Sequence, residues 1–401
     1  MKNELSLRLE HISRKNKKDK VVLFFGRETF SDNTKYLYLK ALEEQRDYTC
    51  IWCSCEKTLI NSLKEKNLPC HLIDADSFEE TMRLFLSAAV AVFSVNPAQS
   101  LNESEELFAC LHGARHIQLW HGVSVKHLLL MKHLSLADYN FRRPVAFASR
   151  ADTVLSPSSC LDSFFNESFG CKRIIRAGYP RNEVILRGAT KLESIGSELP
   201  KEMFQALQNN KRKKILFTPT WQRGATQLLT GSPEFLGKLA LVCQKNNADL
   251  YLKAHPTLLQ DKSSGKLSGN VYYINPTIDI YPYLNKFDAL ITDYSSIMFD
   301  FLLTQKPILR LDIQEGTHKS FEPDFGLVPD IAFAYLFTDK TLPAVLSQAL
   351  IHDCKQDERQ KMADALFETD PLQSASALVK FLQNEVNACV ASSHDFYVEH
   401  Y

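Results

Sequence analysis

Four polar clusters in this chain each follow a short apolar, β-like run. Together they hold two histidines, two further cations, a carboxylate and several hydroxyls. They are His121 in "QLWHG", Thr220 and Arg223 in "FTPTWQRG", Lys253 and His255 in "LKAHP", and Asp293, Ser295 and Ser296 in "ITDYSS". An imidazole with an ordinary pKa of about 6.5 accepts a proton near neutral pH or, when charged, pairs with a phosphate. Arg223 and Lys253 can neutralise phosphate oxygens. The Asp293–Ser296 knot lies where the strand "ALIT" gives way to the apolar helix "IMFDFLL". A helix start offers unbonded N–H groups and about half a positive charge, so it suits a phosphate. Phosphoryl transfer asks chiefly for alignment and charge neutralisation, which this set supplies.

Each cluster alone has a plainer explanation. A histidine beside an apolar strand is most often a satisfied core or surface residue, "KAHP" can be a turn set by Pro256, and Asp293 can simply cap a helix. Asp300 shares a face with Ser296 and could be solvated. "DAD" (74–76) is too short a match to indicate a metal site. Cys50 and Cys53 have C-x-x-C spacing, but no second such pair exists and the run "CIWC" is β-like, so burial is the expectation.

The elements that must position these residues alternate. Short β-branched or aromatic runs, such as "VVLFFG", "TCIWC" and "AVAVFSV", are separated by amphipathic stretches, which is the pattern of α/β folds with parallel sheets. A polar, breaker-containing stretch interrupts the pattern, which restarts at "KILFTPT" and closes on three helical segments. The expectation is two Rossmann-like domains, 1–190 and 213–401, joined by a linker at 191–212. Ligands of such sheets bind outside the carboxyl ends of the strands, where all four clusters fall.

At 401 residues the chain suits two or three domains. Formal net charge is zero, so no global field argues for nucleic acid. No apolar run reaches the roughly 18 residues of a membrane span, and the start lacks a secretory core, so a cytoplasmic protein is expected. The basic runs "RKNKKDK" (14–20) and "KRKK" (211–214) are either solvated surface or a point of attraction to anionic lipid or a phosphorylated acceptor. In "LSLRLEHIS", Leu5, Leu9 and Ile12 fall at helical spacing, which suits peripheral contact with the inner face of the cell membrane or packing on the protein's own first domain.

Taken in order, "QLWHGVSVK", "AGYPRNE", "FTPTWQRG", "LKAHP" and "ITDYSSIMFDF" resemble the teichoic-acid-type CDP-glycerol glycerophosphotransferase family. The resemblance implies a GT-B-like fold, two Rossmann-like domains with a cleft between them, the donor held by the second and the acceptor by the first. It also implies transfer of an alditol phosphate from CDP-glycerol or CDP-ribitol to a hydroxyl of a glycan or lipid-linked acceptor, with release of CMP. His121 would be the general base and His255 would serve the diphosphate. Thr220, Arg223, Lys253, Asp293, Ser295 and Ser296 would bind the donor, while Lys126, Arg181 and Asn182 are candidates for acceptor or phosphate contacts. No cofactor is required and no metal ligands are assigned; assistance by a divalent ion is left open. The family's Thr-Pro pair after "WHG" is replaced by Val123-Ser124, which bears on Lys126 and not on His121. Two other readings stand: a GT-B sugar-nucleotide glycosyltransferase or epimerase, and a glycan-binding scaffold without activity.

Overall fold

The computed structural model describes residues 4–131, 151–209, 211–220, 230, 232–253, 263–313 and 323–392. By internal contacts the chain divides into two units, one of Met1–His121, Leu128–Glu183 and Thr369–Tyr401, the other of Gly122–His127 and Val184–Glu368.

The first unit is built on a seven-stranded sheet: β1 (Asp19–Phe25), β2 (Thr49–Ser54), β3 (Cys70–Leu72), β4 (Ala88–Phe93), β5 (Arg115–Gln118), β6 (Thr153–Ser156) and β7 (Arg173–Arg176). The order is β3-β2-β1-β4-β5-β6-β7 and every pairing is parallel. Strands covered on both faces read as continuous apolar runs, and all six residues of β4, "AAVAVF", are buried. The second unit repeats the plan with β8 (Lys213–Thr218), β9 (Ala248–Leu252), β10 (Gly265–Ser268), β11 (Val271–Tyr273), β12 (Ala289–Thr292), β13 (Ile308–Leu311) and β14 (Tyr335–Phe337). Its order is β10-β11-β9-β8-β12-β13-β14, parallel except for the edge strand β10. In both sheets the order reverses between the first and fourth parallel strands, β1/β4 and β8/β12. A crevice forms there because successive connections leave on opposite faces.

Two boundaries differ from the sequence-based expectation. The stretch expected as a linker contains the helix Lys201–Gln208 and belongs to the second unit. The closing helix Ser374–Ser392, expected in the second domain, packs on β1, β4 and the helix Asp32–Glu43 of the first. Its buried residues, among them Leu378, Val379, Leu382 and Val386, recur at three and four, so it presents one apolar stripe to that sheet. The Cys50/Cys53 pair is buried on β2; burial pushes the Cys50 thiol up to about 12 and raises Cys53 well above the ordinary thiol range. Neither is a reactive thiol.

The N-terminal helix, Glu4–Lys15, buries Ser6, Leu9 and Ser13, while Leu5, Leu7 and Ile12 are exposed. The expected Leu5–Leu9–Ile12 face is thus split. Close docking requires small residues: Ser13 Oγ donates to the Cys110 carbonyl (2.6 Å) and accepts from the Gly113 N–H (2.9 Å). A Cβ on Gly113 would stand 2.0 Å from the Ser13 carbonyl oxygen, so helix and turn touch backbone to backbone. Gly113→Ala is therefore expected to lower stability by about 1–3 kcal/mol, the usual cost of overpacking. A thermal melt followed by circular dichroism checks it, and an unchanged midpoint would refute the docking described.

Candidate active site

In the first unit the polar residues gather at the β1/β4 switch point around the "WHG" turn. Trp120 has φ +55° and Gly122 φ +115°. Glycine takes such an angle readily, but a tryptophan in the left-handed region stores roughly 1–3 kcal/mol and stays there only when its surroundings fix it. Several bonds do so. The Trp120 N–H donates to Gln118 Oε1 (2.9 Å), whose amide in turn donates to the Val95 carbonyl. Asn33 Nδ2 donates to the Trp120 carbonyl (2.8 Å), and Arg181 Nη2 to the His121 carbonyl (2.8 Å). The His121 ring lies half-buried against Trp120, with Nδ1 3.2 Å from the Ser94 carbonyl. A carbonyl only accepts, so this contact favours the proton on Nδ1 and leaves the basic lone pair on Nε2.

Arg181 and Asn182, candidates for acceptor or phosphate contacts, are both buried. The Arg181 side chain is 2% exposed, with Nη1 2.6 Å from Asp32 Oδ1. Asn182 is 1% exposed, and neither polar atom of its amide has a hydrogen-bond partner.

In the second unit the β8/β12 switch point is organised by Asp293, which is fully buried. One carboxylate oxygen accepts from the Thr220 N–H (3.0 Å), the Thr220 hydroxyl and the Tyr294 N–H (2.6 Å). The other accepts from the Thr220 N–H (2.9 Å) and the Thr230 hydroxyl (3.0 Å). A carboxylate out of water needs such donors to offset its lost hydration. Asp293 therefore clamps the loop after β8 to the turn after β12, and both of its oxygens are spent inside the protein. The following helix, Ile297–Phe301, has five residues, too few for a full macrodipole, and Ser296 makes no side-chain cap bond. Ser295 and Ser296 stand half-buried at its start.

Lys253, expected on a phosphate, directs Nζ to the carbonyls of Pro276 and Ile278 (both 2.8 Å) and of Asn275 (3.4 Å). It ties the loop after β11 to the end of β9. Lys126, in the segment Gly122–His127 that contacts assign to this unit, places Nζ 4.8 Å from the centre of the Tyr294 ring. Its neighbours hold the same region: the Asp324 N–H donates to the Val125 carbonyl (2.6 Å), and His127 Nε2 lies 2.8 Å from Asp324 Oδ2. Arg223 and His255 lie outside the described residues. Among the described residues, no group of three or more His, Cys, Asp or Glu is placed to hold a metal ion.

Asp32, Asn33, Ser94, Thr230 and Asp324 were not legible as site residues. Their partners lie far away in sequence, 149 positions in the case of Asp32 and Arg181. Gln118 stood within a quoted motif, yet nothing in its type announced a role as a turn brace.

A chemistry follows from this arrangement. The first unit offers an imidazole whose Nδ1 faces a carbonyl, and the second a braced polar turn beside a lysine. The chain is similar to polymerases of teichoic acid. It is 28% identical over 321 residues to a teichoic acid poly(glycerol phosphate) polymerase of Staphylococcus epidermidis, covering 73% of this chain and 40% of the relative. It is 25% identical over 330 residues to the teichoic acid ribitol-phosphate polymerase TarL of Staphylococcus aureus, covering 78% and 54%. The chain thus spans about half or less of these curated relatives. Among solved structures, that of the wall teichoic acid polymerase TagF superposes with a TM-score of 0.69 at 20% identity, over 96% of this chain and 94% of that one. The UDP-GlcNAc 2-epimerase of Neisseria meningitidis, bound to UDP-GlcNAc, gives 0.55 at 12% identity, over 91% and 99%. These likenesses establish a GT-B-like fold of two domains. The model of the CDP-glycerol:poly(glycerophosphate) glycerophosphotransferase family matches residues 7–325, well over half of the chain, and the protein belongs to that family.

Proposed function

We propose that this protein transfers a polyol phosphate from a CDP-alditol, CDP-glycerol or CDP-ribitol, to a hydroxyl of a teichoic-acid-type acceptor. The observation that carries the proposal is His121, which lies within the family match and turns Nδ1 to the Ser94 carbonyl, an arrangement that favours Nε2 as the basic nitrogen. In the reaction, His121 Nε2 takes the proton of the acceptor hydroxyl as its oxygen attacks the phosphorus bearing the alditol. A P–O bond forms, the bridging P–O bond breaks, and CMP leaves with the electron pair. The second unit binds the donor through the turn Tyr294–Ser296, which Asp293 and Thr220 hold in shape. His255 and Arg223 are retained as diphosphate contacts on their motifs alone. Lys126, steadied on Tyr294, supplies positive charge to the same end of the sheet. Lys253 and Asp293 act by holding loops.

The competing epimerase reading rests on a likeness of fold, and a donor panel separates the two. Purified protein supplied with CDP-glycerol, CDP-ribitol and UDP-GlcNAc, together with an oligo(glycerol phosphate) acceptor, is expected to release CMP and leave UDP-GlcNAc unchanged. In that assay His121→Ala is expected to lower turnover by about 10²–10⁴-fold, the usual worth of a general base, with affinity for CDP-glycerol retained. Wild-type turnover in the folded variant would remove His121 from the mechanism.

Donor binding is tested separately. Ser295→Leu and Ser296→Leu put bulk into the turn while leaving the Asp293 clamp intact. Isothermal calorimetry with CDP-glycerol is expected to show at least a tenfold loss of affinity in each. Unchanged affinity in both would move the donor elsewhere.

We further propose that the helix Glu4–Lys15 makes the protein's peripheral membrane contact. Among the described residues no helix is long and apolar enough to cross a membrane. Leu5, Leu7 and Ile12 are 52%, 52% and 48% exposed beside Arg8, Arg14, Lys15 and Lys17. Each basic residue contributes about 1 kcal/mol near an anionic surface, reduced here where Glu4 and Glu10 pair with Arg8 and Arg14. Deleting the helix would also remove Ser13, which ties it to the backbone of Cys110 and Gly113, so substitution is the cleaner test. The triple variant Leu5→Gln, Leu7→Gln, Ile12→Gln is expected to lose most of its co-sedimentation with anionic vesicles at low salt. Equal pelleting of variant and parent would refute the docking.

A further inference from the structure

We infer that Arg181, together with Asp32, is a positioning residue for His121. The inference rests on the reading of His121 as the general base. From sequence, Arg181 is a candidate for contact with acceptor or phosphate, and its environment points elsewhere. One end of the guanidinium is 2.6 Å from Asp32 Oδ1, the other 2.8 Å from the His121 carbonyl oxygen, and the side chain is 2% exposed. A side chain that binds a phosphate must present its donors to it; both of these ends face protein. Asp32, the first residue of the helix Asp32–Glu43, is in turn fixed by the chain around it. Asn33 beside it holds the Trp120 carbonyl through Nδ2 and the Arg181 N–H through Oδ1 (3.3 Å), and Thr34 Oγ1 lies 3.0 Å from Ser94 Oγ. Ser94 is the residue whose carbonyl faces His121 Nδ1. One helix start therefore governs three quantities at once: the carbonyl before His121, the carbonyl of His121, and the strand end that sets the ring's tautomer.

The purpose follows from the backbone. With Trp120 at φ +55° and Gly122 at φ +115°, the turn sits away from the broad minima of an unrestrained chain. Rotation of the peptide between His121 and Gly122 would carry the imidazole off its aim. A donor on that peptide's own oxygen opposes the rotation directly. Arginine suits the task because a planar guanidinium bridges a carboxylate and a carbonyl at fixed separation, whereas an ammonium is a single point of charge. A displacement of about 1 Å at a catalytic group costs on the order of 10²-fold in rate.

The test is a set of variants of the whole chain, Arg181→Ala, Arg181→Lys, Asp32→Asn, His121→Ala and the double variant His121→Ala/Arg181→Ala. Each is assayed for CMP release from CDP-glycerol with oligo(glycerol phosphate) as acceptor. Arg181→Ala is expected to lower kcat about 10²-fold, with KM for both substrates within about twofold of the parent. Arg181→Lys should recover less than a tenth of the lost rate. In the His121→Ala background the arginine substitution should cost less than twofold, since the group it aims is gone. Asp32→Asn, which keeps the guanidinium and removes its anchor, repeats the pattern at smaller amplitude and decides the matter if Arg181→Ala does not fold. A tenfold rise in acceptor KM with kcat preserved would make Arg181 a ligand and overturn the inference, as would a full further loss of rate in the double variant. Parental kinetics in Asp32→Asn would overturn the part given to Asp32. Wild-type turnover in His121→Ala alone would instead remove the base on which the inference rests.

Discussion

At the switch point of each sheet a buried charged side chain ties together segments from distant parts of the chain. An open parallel sheet leaves its strand ends ragged where the order reverses, and loops from distant parts of the chain must meet there. Apolar contact alone cannot fix such loops, because their backbone N–H and C=O groups require partners. In the second unit Asp293 supplies a two-oxygen acceptor to Thr220, Thr230 and Tyr294. In the first, Arg181 supplies a two-ended donor to Asp32 and the His121 carbonyl. One unit uses an anion to gather N–H and O–H groups, the other a cation to hold a carboxylate and a carbonyl. Removing one partner would leave the other charged and buried, which is why such pairs tolerate little change.

The fold was legible because its signals are local. Apolar runs of four to seven residues with polar clusters after them mark strands and their carboxyl ends, and β1, β4, β8 and β12 all follow from that rule. The edge strand β10, "GKLS", escaped it: only two of its four residues are partly covered and none is buried, so it carries no apolar run. The return of the helix Ser374–Ser392 to the first unit was also hidden. Its stripe says that it packs and does not say on which sheet.

The candidate site is legible in its residue types and less so in what those residues touch. His121 and the serines of the Asp293–Ser296 knot are recognisable because their chemistry is written in the side chain and its place at a strand end. Lys253 and Arg181 look the same in sequence as any phosphate-binding cation. Only the carbonyls of Pro276 and Ile278, and the carboxylate of Asp32, show which protein groups these two charges meet. Whether a cation binds ligand or loop depends on contacts across the sequence, and spacing along one motif does not encode them.

The N-terminal helix shows the same principle working on apolar residues. Periodicity counts leucines, and by that count Leu5, Leu9 and Ile12 form one face. Geometry instead seats Ser6, Leu9 and Ser13, and at Ser13 the backbone of Gly113 approaches closely. Leu5 and Ile12 are left at the surface between basic residues by a choice made at the buried side. An apolar face that a protein exposes while burying serines is not explained by its own core. The same small-residue seam that holds the helix in place thus fixes which way its hydrophobic residues point, and so makes the exposed stripe a stable feature of the folded chain.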